Sequence, residues 1–469
     1  MMARIPLLLS TLLLGLATLP AGSWAQAAAP SVMPPPEPLQ APPGIRSFPT
    51  PPQIVGGELS LEEAVQIGLD NAPKIMAAAG DYAAARQRVY EALSPLLPQL
   101  SGQWNGFQNQ TVTSTSSVST SGVFVTGSAP SQDRTVTSRS VTTTATVTAS
   151  QLLFDFGKNW AATDAAKSSA ESFRQAVELQ RQTIAVNVKT SYFTLLLAKR
   201  LVGVNIAALD RAELNLRSAK GFFEVGTQPR FFVTRAEVDV ANARVTLIQA
   251  QNALALARVS LNTAMGIAVN SPTEVKDILA YEPYSVERDG LVAEALRHRP
   301  EYLQIKAQAD SAEATVRQRF RNFFPNIIAS GTYGAARADM NEIYNYGVQL
   351  TWSIFDGGNM IAQYKEAKAN LDAVQARVRD TELTIWQDVQ QAYLNMIAAE
   401  QQIGAAQKAV DSAQENFRLS QGRFDAGVGT IIELTDAQLA LTQAQSNEAQ
   451  ALANYRIAIA QLERAVGRR

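Results

Sequence analysis

The chain has 469 residues, no Cys and a single His, with 41 Lys and Arg against 42 Asp and Glu, and 46% of it is apolar. Near-neutral charge argues against a nucleic-acid binder, and the missing Cys removes disulfides, thiolate metal sites and a Cys nucleophile. One histidine, His298, cannot build a His-based metal centre or a pair of His acid–base catalysts, so neither an enzyme nor a cofactor is expected.

In chain order, Arg4 precedes an apolar run over residues 7–16, which Pro20 and Gly22 break, and Ser23-Trp24-Ala25 supplies small residues where a signal peptidase reads. Residues 1–25 therefore read as a secretory signal peptide. No later stretch approaches 18 uninterrupted apolar residues, so any membrane crossing requires a closed β-barrel. Residues 26–57 read as a Pro-rich extended linker, since residues 30–52 hold ten of the 21 prolines.

The rest is written twice. Shifted by 201 residues, Phe154-Asp155 lands on Phe355-Asp356, Tyr192 on Tyr393, Gly226 on Gly427, Thr234 on Thr435 and Gly266 on Gly467. Nearer the start of each half the shift is 227: Pro73 meets Pro300 and Pro98 meets Pro325. The difference, 227 − 201 = 26, is one insertion between Pro98 and Phe154, in a stretch where 22 of residues 111–150 are Ser or Thr. The first repeat, 58–266, is predicted as a helix, a β-hairpin over 99–153, a long helix over 158–225, a turn and a helix over 230–265. A connector follows over 267–290. The second repeat, 291–469, has a helix, a hairpin over 326–355, a long helix over 359–426, a turn and a helix over 430–466.

No proline interrupts residues 158–225 or 359–469. The second long helix carries Ile385, Val389, Ala392, Met396, Ala399 and Ile403 at alternating steps of four and three, ending at Phe424. The helix after its turn continues the pattern through Leu434, Ala437, Leu441 and Ala444, and Val233 to Ala264 repeats it in the first half. A sustained 3.5-residue spacing is a coiled-coil seam. A helix over 158–225 would be roughly 100 Å long at 1.5 Å per residue, a rod rather than a globule.

Between the helices the period becomes two. Tyr346, Val348, Leu350 and Trp352 alternate with Asn345, Gly347, Gln349 and Thr351, and Leu100, Gly102 and Trp104 alternate with Gln99, Ser101 and Gln103. Segments of about ten residues suit tilted strands of a membrane barrel, apolar side to lipid and polar side to a wet lumen, with Trp104, Tyr346 and Trp352 as aromatic-girdle candidates. A soluble sheet with one buried face has the same alternation. Four strands cannot close a barrel, whereas three chains would supply 12.

The residues Arg423-Phe424-Asp425-Ala426-Gly427-Val428-Gly429-Thr430-Ile431-Ile432-Glu433-Leu434-Thr435-Asp436, with the junctions Leu153-Phe154-Asp155-Phe156-Gly157 and Ile354-Phe355-Asp356-Gly357-Gly358, resemble the TolC-type outer-membrane efflux factors. The resemblance runs from about Leu59 to Gly467. It implies a homotrimer combining an α-helical barrel of long antiparallel coiled coils with a transmembrane β-barrel shared between chains, set in the outer membrane of a Gram-negative-type cell and reaching into the periplasm. Such a channel would serve a tripartite efflux or type I secretion system. Its implied partners are a periplasmic adaptor, an inner-membrane pump of RND or ABC type and outer-membrane lipid, with no nucleic acid. The turns Gly226-Thr227 and Gly427-Val428-Gly429 would meet the adaptor, and iris-like opening of the helix tips would gate the duct.

Family members carry an acidic ring at the periplasmic entrance, and the matching positions are Glu433 and Asp436. Three apart, they share a helix face, and three copies would set six carboxylates around one aperture. A solvated helix face with Glu433 paired to Arg423 is the plainer alternative. The chain departs from the family where a basic residue often stands, at Gly429, and where an acidic one is common, at Phe232. Phe424 and Phe223 read as core closing the two stripes, Asp155 and Asp356 as helix caps, and His298 as a helix-end residue. An exported coiled-coil fibre or adhesin without a pore is the competing function, against which the amphipathic hairpins argue.

Overall fold

A computed structural model describes residues 57–115, 134–336 and 341–468, all within one unit, Pro51–Arg469. The expected signal peptide, nearly all of the Pro-rich linker and the middle of the Ser/Thr-rich insertion lie outside the described residues.

The first repeat contains β1 (Glu58–Leu59), α1 (Leu61–Asn71), α2 (Pro73–Leu93), β2 (Gln99–Thr115), β3 (Arg134–Phe154), α3 (Lys158–Glu224) and α4 (Arg230–Ala264). After β4 (Glu274–Val275), the second contains α5 (Leu291–His298), α6 (Pro300–Arg321), β5 (Asn326–Ala336), β6 (Asn341–Thr351), α7 (Asn359–Asp425) and α8 (Ile431–Val466). The long helices α3 and α7 have 67 residues each. Local chemistry sets their ends. Ser60 and Glu63 form a reciprocal capping box at α1, and Pro73 and Pro300 open α2 and α6 at positions where a helix needs no N–H. The buried carboxylate of Asp155 accepts from the amides of Gly157 and Asn159 at 2.9 and 2.7 Å, and Asp356 does the same for Gly358 and Met360 at 3.2 and 2.9 Å. Each strand-to-helix junction is thus fixed by one aspartate.

The helices pair along their seams. Ile385, Val389, Ala392, Met396, Ala399, Ile403 and Phe424 of α7 are buried, as are Leu434, Ala437, Leu441, Ala444, Tyr455 and Leu462 of α8. Past Glu448 the buried set of α8 widens to include Ala449, Ala451 and Ala453. One stretch of α3 is long and apolar enough to cross a membrane by length and composition alone; on the same helix Val188, Tyr192, Leu195 and Leu196 are core, packed with residues of α1, α4 and the connector. A second core joins α5, α7 and α8 around Tyr455.

One feature of the connector leaves no periodic trace in the sequence. Two-residue strands β1 and β4 pair in parallel, and the buried Tyr192 hydroxyl sits 3.0 and 2.8 Å from the carbonyls of Leu59 and Lys276 beside them.

Candidate functional site

The four long strands form one antiparallel sheet in the order β2-β3-β5-β6. Its register decides which side chains share a face. Leu100 opposes Ala149, Trp104 opposes Ala145, and Gly102 opposes Val147. Val147 opposes Tyr333, Ala149 opposes Gly331, Gly331 opposes Tyr346, and Ala329 opposes Val348. Because directly opposed residues project to the same side, the apolar parity of every strand falls on one continuous face. That face is open: Leu100, Trp104, Tyr333, Tyr346, Val348 and Leu350 are all more than half exposed. The opposite face carries Gln99, Ser101, Gln103, Thr146, Thr148, Thr332 and Gln349, with the hydroxyls of Thr148 and Thr332 3.0 Å apart. Trp104 and Tyr346 stand on the apolar face. Trp352 lies just past the end of β6 and donates its indole N–H to the Phe323 carbonyl at 3.0 Å, at a junction where Phe154, Phe156, Phe320, Phe323, Phe324 and Tyr364 form a run of ring contacts.

At the far ends of the long helices lie two matched turns. Gly226 and Gly427 take φ of 73° and 74°. The amides after them close each helix identically: Gly226 to Phe223 O and Thr227 to Phe222 O, then Gly427 to Phe424 O and Val428 to Arg423 O. This is the Schellman arrangement, which needs a left-handed residue at the glycine. Gly429 serves a different purpose. A Cβ there would lie 2.9 Å from the Phe424 amide nitrogen, and its own N–H donates to Arg423 O at 2.9 Å, so its bare backbone lets the turn fold onto the end of α7. Val428 is exposed.

The two turns are stitched side by side. Phe424 is fully buried against Phe222, edge to face at 5.6 Å, with Ala219, Ala236, Ile431 and Leu434 around it. Phe222 is the partner, and Phe223, expected in the core, is 44% exposed. The two residues are adjacent, and the helix rotation at the tip selects the first. Further from the tip, polar links tie α8 to the α3–α4 pair: Asn215 donates to Gln438 Oε1 at 2.8 Å, Gln438 to Ala208 O at 3.0 Å, and Thr435 to Asp239 Oδ2 at 3.1 Å.

The two acidic positions sit in this region. Glu433 is in the first turn of α8; its amide donates to the cap Thr430 Oγ1 at 3.2 Å, and its carboxylate lies 3.7 Å from Arg423 Nη2. Both side chains of that pair are about half exposed, so it contributes little on its own. Asp436 borders a groove of about 460 Å³ between α8 and α3–α4, together with Asp239, Arg235 and Asn242. His298 ends α5, with Nδ1 3.1 Å from Glu294 O. No cluster of metal-ligating side chains occurs among the described residues.

Long paired helices that carry an amphipathic, open-edged hairpin sheet at one end and matched turns at the other give this chain the fold seen in solved outer-membrane channels. The solved outer-membrane channel CmeC of Campylobacter jejuni superposes with a TM-score of 0.74 at 17% identity, over 87% of this chain and 85% of that one. The MtrE channel of Neisseria gonorrhoeae in its open state gives 0.72 at 19% identity, over 87% and 89%. The sequence model of the outer membrane efflux protein family matches residues 64–267 and 291–468. The chain belongs to that family, one of efflux proteins rather than enzymes. Among curated relatives, the antibiotic efflux pump outer membrane protein ArpC of Pseudomonas putida is 25% identical over 263 residues, 53% of each chain. The outer membrane protein TolC of Escherichia coli is 25% identical over 356 residues, 72% of this chain and 68% of TolC. The chain thus spans about half the length of several curated relatives it matches.

Proposed function

We propose that the protein is the outer-membrane exit duct of a tripartite efflux or type I secretion system, built from three copies and gated at the periplasmic helix tips. The observation that carries this reading is the sheet. One face is apolar and open, the other is lined with Gln, Ser and Thr, and among the described residues β2 and β6 end the strand order as unpaired edges. In hydrocarbon every backbone N–H and C=O needs a partner, so an open sheet is excluded there and a closed barrel is required. Four strands per chain are too few; three chains supply 12. A second uncovered surface supports sharing between copies. Phe231, Val238 and Val245 recur at heptad spacing along α4, with Ile248, Leu256 and Val259 continuing the stripe, and all are exposed. This stripe faces away from the seam that packs on α3 and is shaped as a second coiled-coil seam.

The duct does no covalent chemistry. Its mechanism is access: a wet pore through the membrane continues into a helical tube, and the tips control entry. The Phe222–Phe424 contact and the Asn215–Gln438 and Thr435–Asp239 bonds hold the α7–α8 pair against α3–α4, and splaying that pair opens the tube. Glu433 and Asp436, repeated in three copies, bias the aperture toward cations. The exposed turns at Gly226, Thr227, Gly427, Val428 and Gly429 meet a periplasmic adaptor, which couples to an inner-membrane pump. The test is fractionation followed by bilayer recording. The reading requires heat-modifiable trimers in outer-membrane fractions that form channels of low conductance; a monomer in the soluble fraction without channel activity refutes it.

A further inference from the structure

Among the described residues, the duplicated frame forms a polar cavity that the duct reading does not use. It lies where the α5–α6 junction meets α7 and α8, has a volume of about 240 Å³, and is lined by Arg299, Asp388, Gln391, Asn395, Gln461 and Arg464. That is several times the roughly 30 Å³ share of a water molecule. The Arg299 side chain is only 7% exposed. Its Nη2 donates to Asp388 Oδ2 at 3.0 Å and its Nε is 3.5 Å from Glu301 Oε2, a distance that makes an ion pair without a hydrogen bond. Its Nη1 has no hydrogen-bond partner among the described residues, nor has the buried Nε of Arg464. Arg464 also has no carboxylate within ion-pair distance among those residues. Buried guanidinium donors are rarely left unused.

The chain carries its own control for whether the fold needs this arrangement. By the shifts that relate the repeats, Arg299 corresponds to Ala72, Asp388 to Asn187, Gln391 to Thr190, Asn395 to Thr194, Gln461 to Ser260 and Arg464 to Thr263. The first repeat builds the same junction with no charge at any of these positions, and Ala72 is buried there as plain core. The two arginines are therefore not demanded by the helix packing.

We propose that this cavity is a binding site for an oxyanion group, phosphate or carboxylate in chemistry. Arg299 is held in place by Asp388 and Glu301, which fixes its free Nη1 as a preset donor. Arg464 supplies the charge not already neutralised, and the amides of Gln391, Asn395 and Gln461 add neutral donors. Asp388, which also lines the cavity, is engaged by Arg299 and leaves Arg464 as the guanidinium with no carboxylate partner among the described residues. Planar guanidinium forks match oxyanion geometry, which a lysine does not reproduce.

The experiment titrates inorganic phosphate into the full chain in detergent by calorimetry, with sodium chloride at matched ionic strength as the reference and a thermal melt to verify that each variant is folded. Wild type shows saturable binding that Arg464→Gln weakens at least about tenfold, the scale of one charge-assisted hydrogen bond. Arg464→Lys, which keeps the charge but not the fork, falls between the two. Folded wild-type protein that binds phosphate no better than chloride overturns the proposal, and so does equal affinity in Arg464→Gln or Arg464→Lys. If wild type binds no phosphate while Arg464→Gln dissociates the copies, the cavity is a subunit contact and the oxyanion site is refuted.

Discussion

Tyr192 shows how much a single side chain carries in the connector. Burial pushes its hydroxyl pKa up to about 12, because the phenolate would lose its water, and the nearby carboxylates of Asp277, Glu58 and Glu63 add to the rise. The folded state thus favours the protonated phenol. Its contribution is complete below the unfolded value of 10.0 and is lost as pH rises through about 12. Tyr192→Phe leaves the carbonyls of Leu59 and Lys276 without that donor and should cost about 1–3 kcal/mol. A thermal melt reads this as a lowered midpoint at neutral pH and a flatter decline between pH 10 and pH 12 than in wild type. Gly429 is the second such position. A Cβ there meets backbone atoms of Arg423 and Phe424 that have nowhere to go, so Gly429→Leu should loosen the second turn, seen as faster proteolysis near residue 429 while the rest of the chain stays resistant. Neither role was open to reading along the chain. A two-residue parallel strand has no period, and Gly429 looks in sequence like another turn glycine although its φ is not left-handed.

Hairpins and helices were far more legible than these contacts, for a physical reason. A seam or a sheet face is a repeated choice, so each further residue at the right step strengthens the signal. The parity read from Tyr346 to Trp352 and from Leu100 to Trp104 requires no knowledge of pairing, and the register then brings those faces together across four strands. Contacts between elements distant in the chain have no such redundancy: Asn215 and Gln438 meet across 223 positions, and nothing in either local sequence points to the other. The two faces of the sheet give a paired prediction. Val348→Arg places a charge on the apolar side and should destabilise by about 2–4 kcal/mol near the bilayer midplane, whereas Gln349→Arg, one residue on, faces the wet side and should cost far less. The temperature at which the heat-modifiable form disappears measures both. Equal effects at the two positions would refute the lipid-and-lumen assignment of the faces.

Across the molecule, incompleteness is the organising fact: among the described residues, the sheet edges at β2 and β6 and the apolar stripe of α4 have no partner. Both demands point to further copies, and they can be tested separately because they lie on different elements. Val245→Asp puts a carboxylate in the middle of the α4 stripe, where Val245 is 53% exposed within a single chain. A lone protomer should tolerate the change within about 0.5 kcal/mol, as exposed positions generally do. An assembly that buries the stripe should lose trimer, which native mass spectrometry in detergent reads directly, and full retention of trimer would show that α4 is not an interface. Once trimers are in hand, the aperture can be addressed. Among the described residues the Glu433 carboxylate makes only a weak, exposed contact to Arg423, and Asp436 borders the groove against α3–α4, so both carboxylates are available to ions while the surrounding packing rests on Leu434 and Ala437. Replacing both acids by Ala removes six charges from three copies without touching the seam. Single-channel recording should then show higher conductance and a loss of block by multivalent cations, whereas unchanged conductance and block would remove Glu433 and Asp436 from the gate and leave them as a solvated helix face.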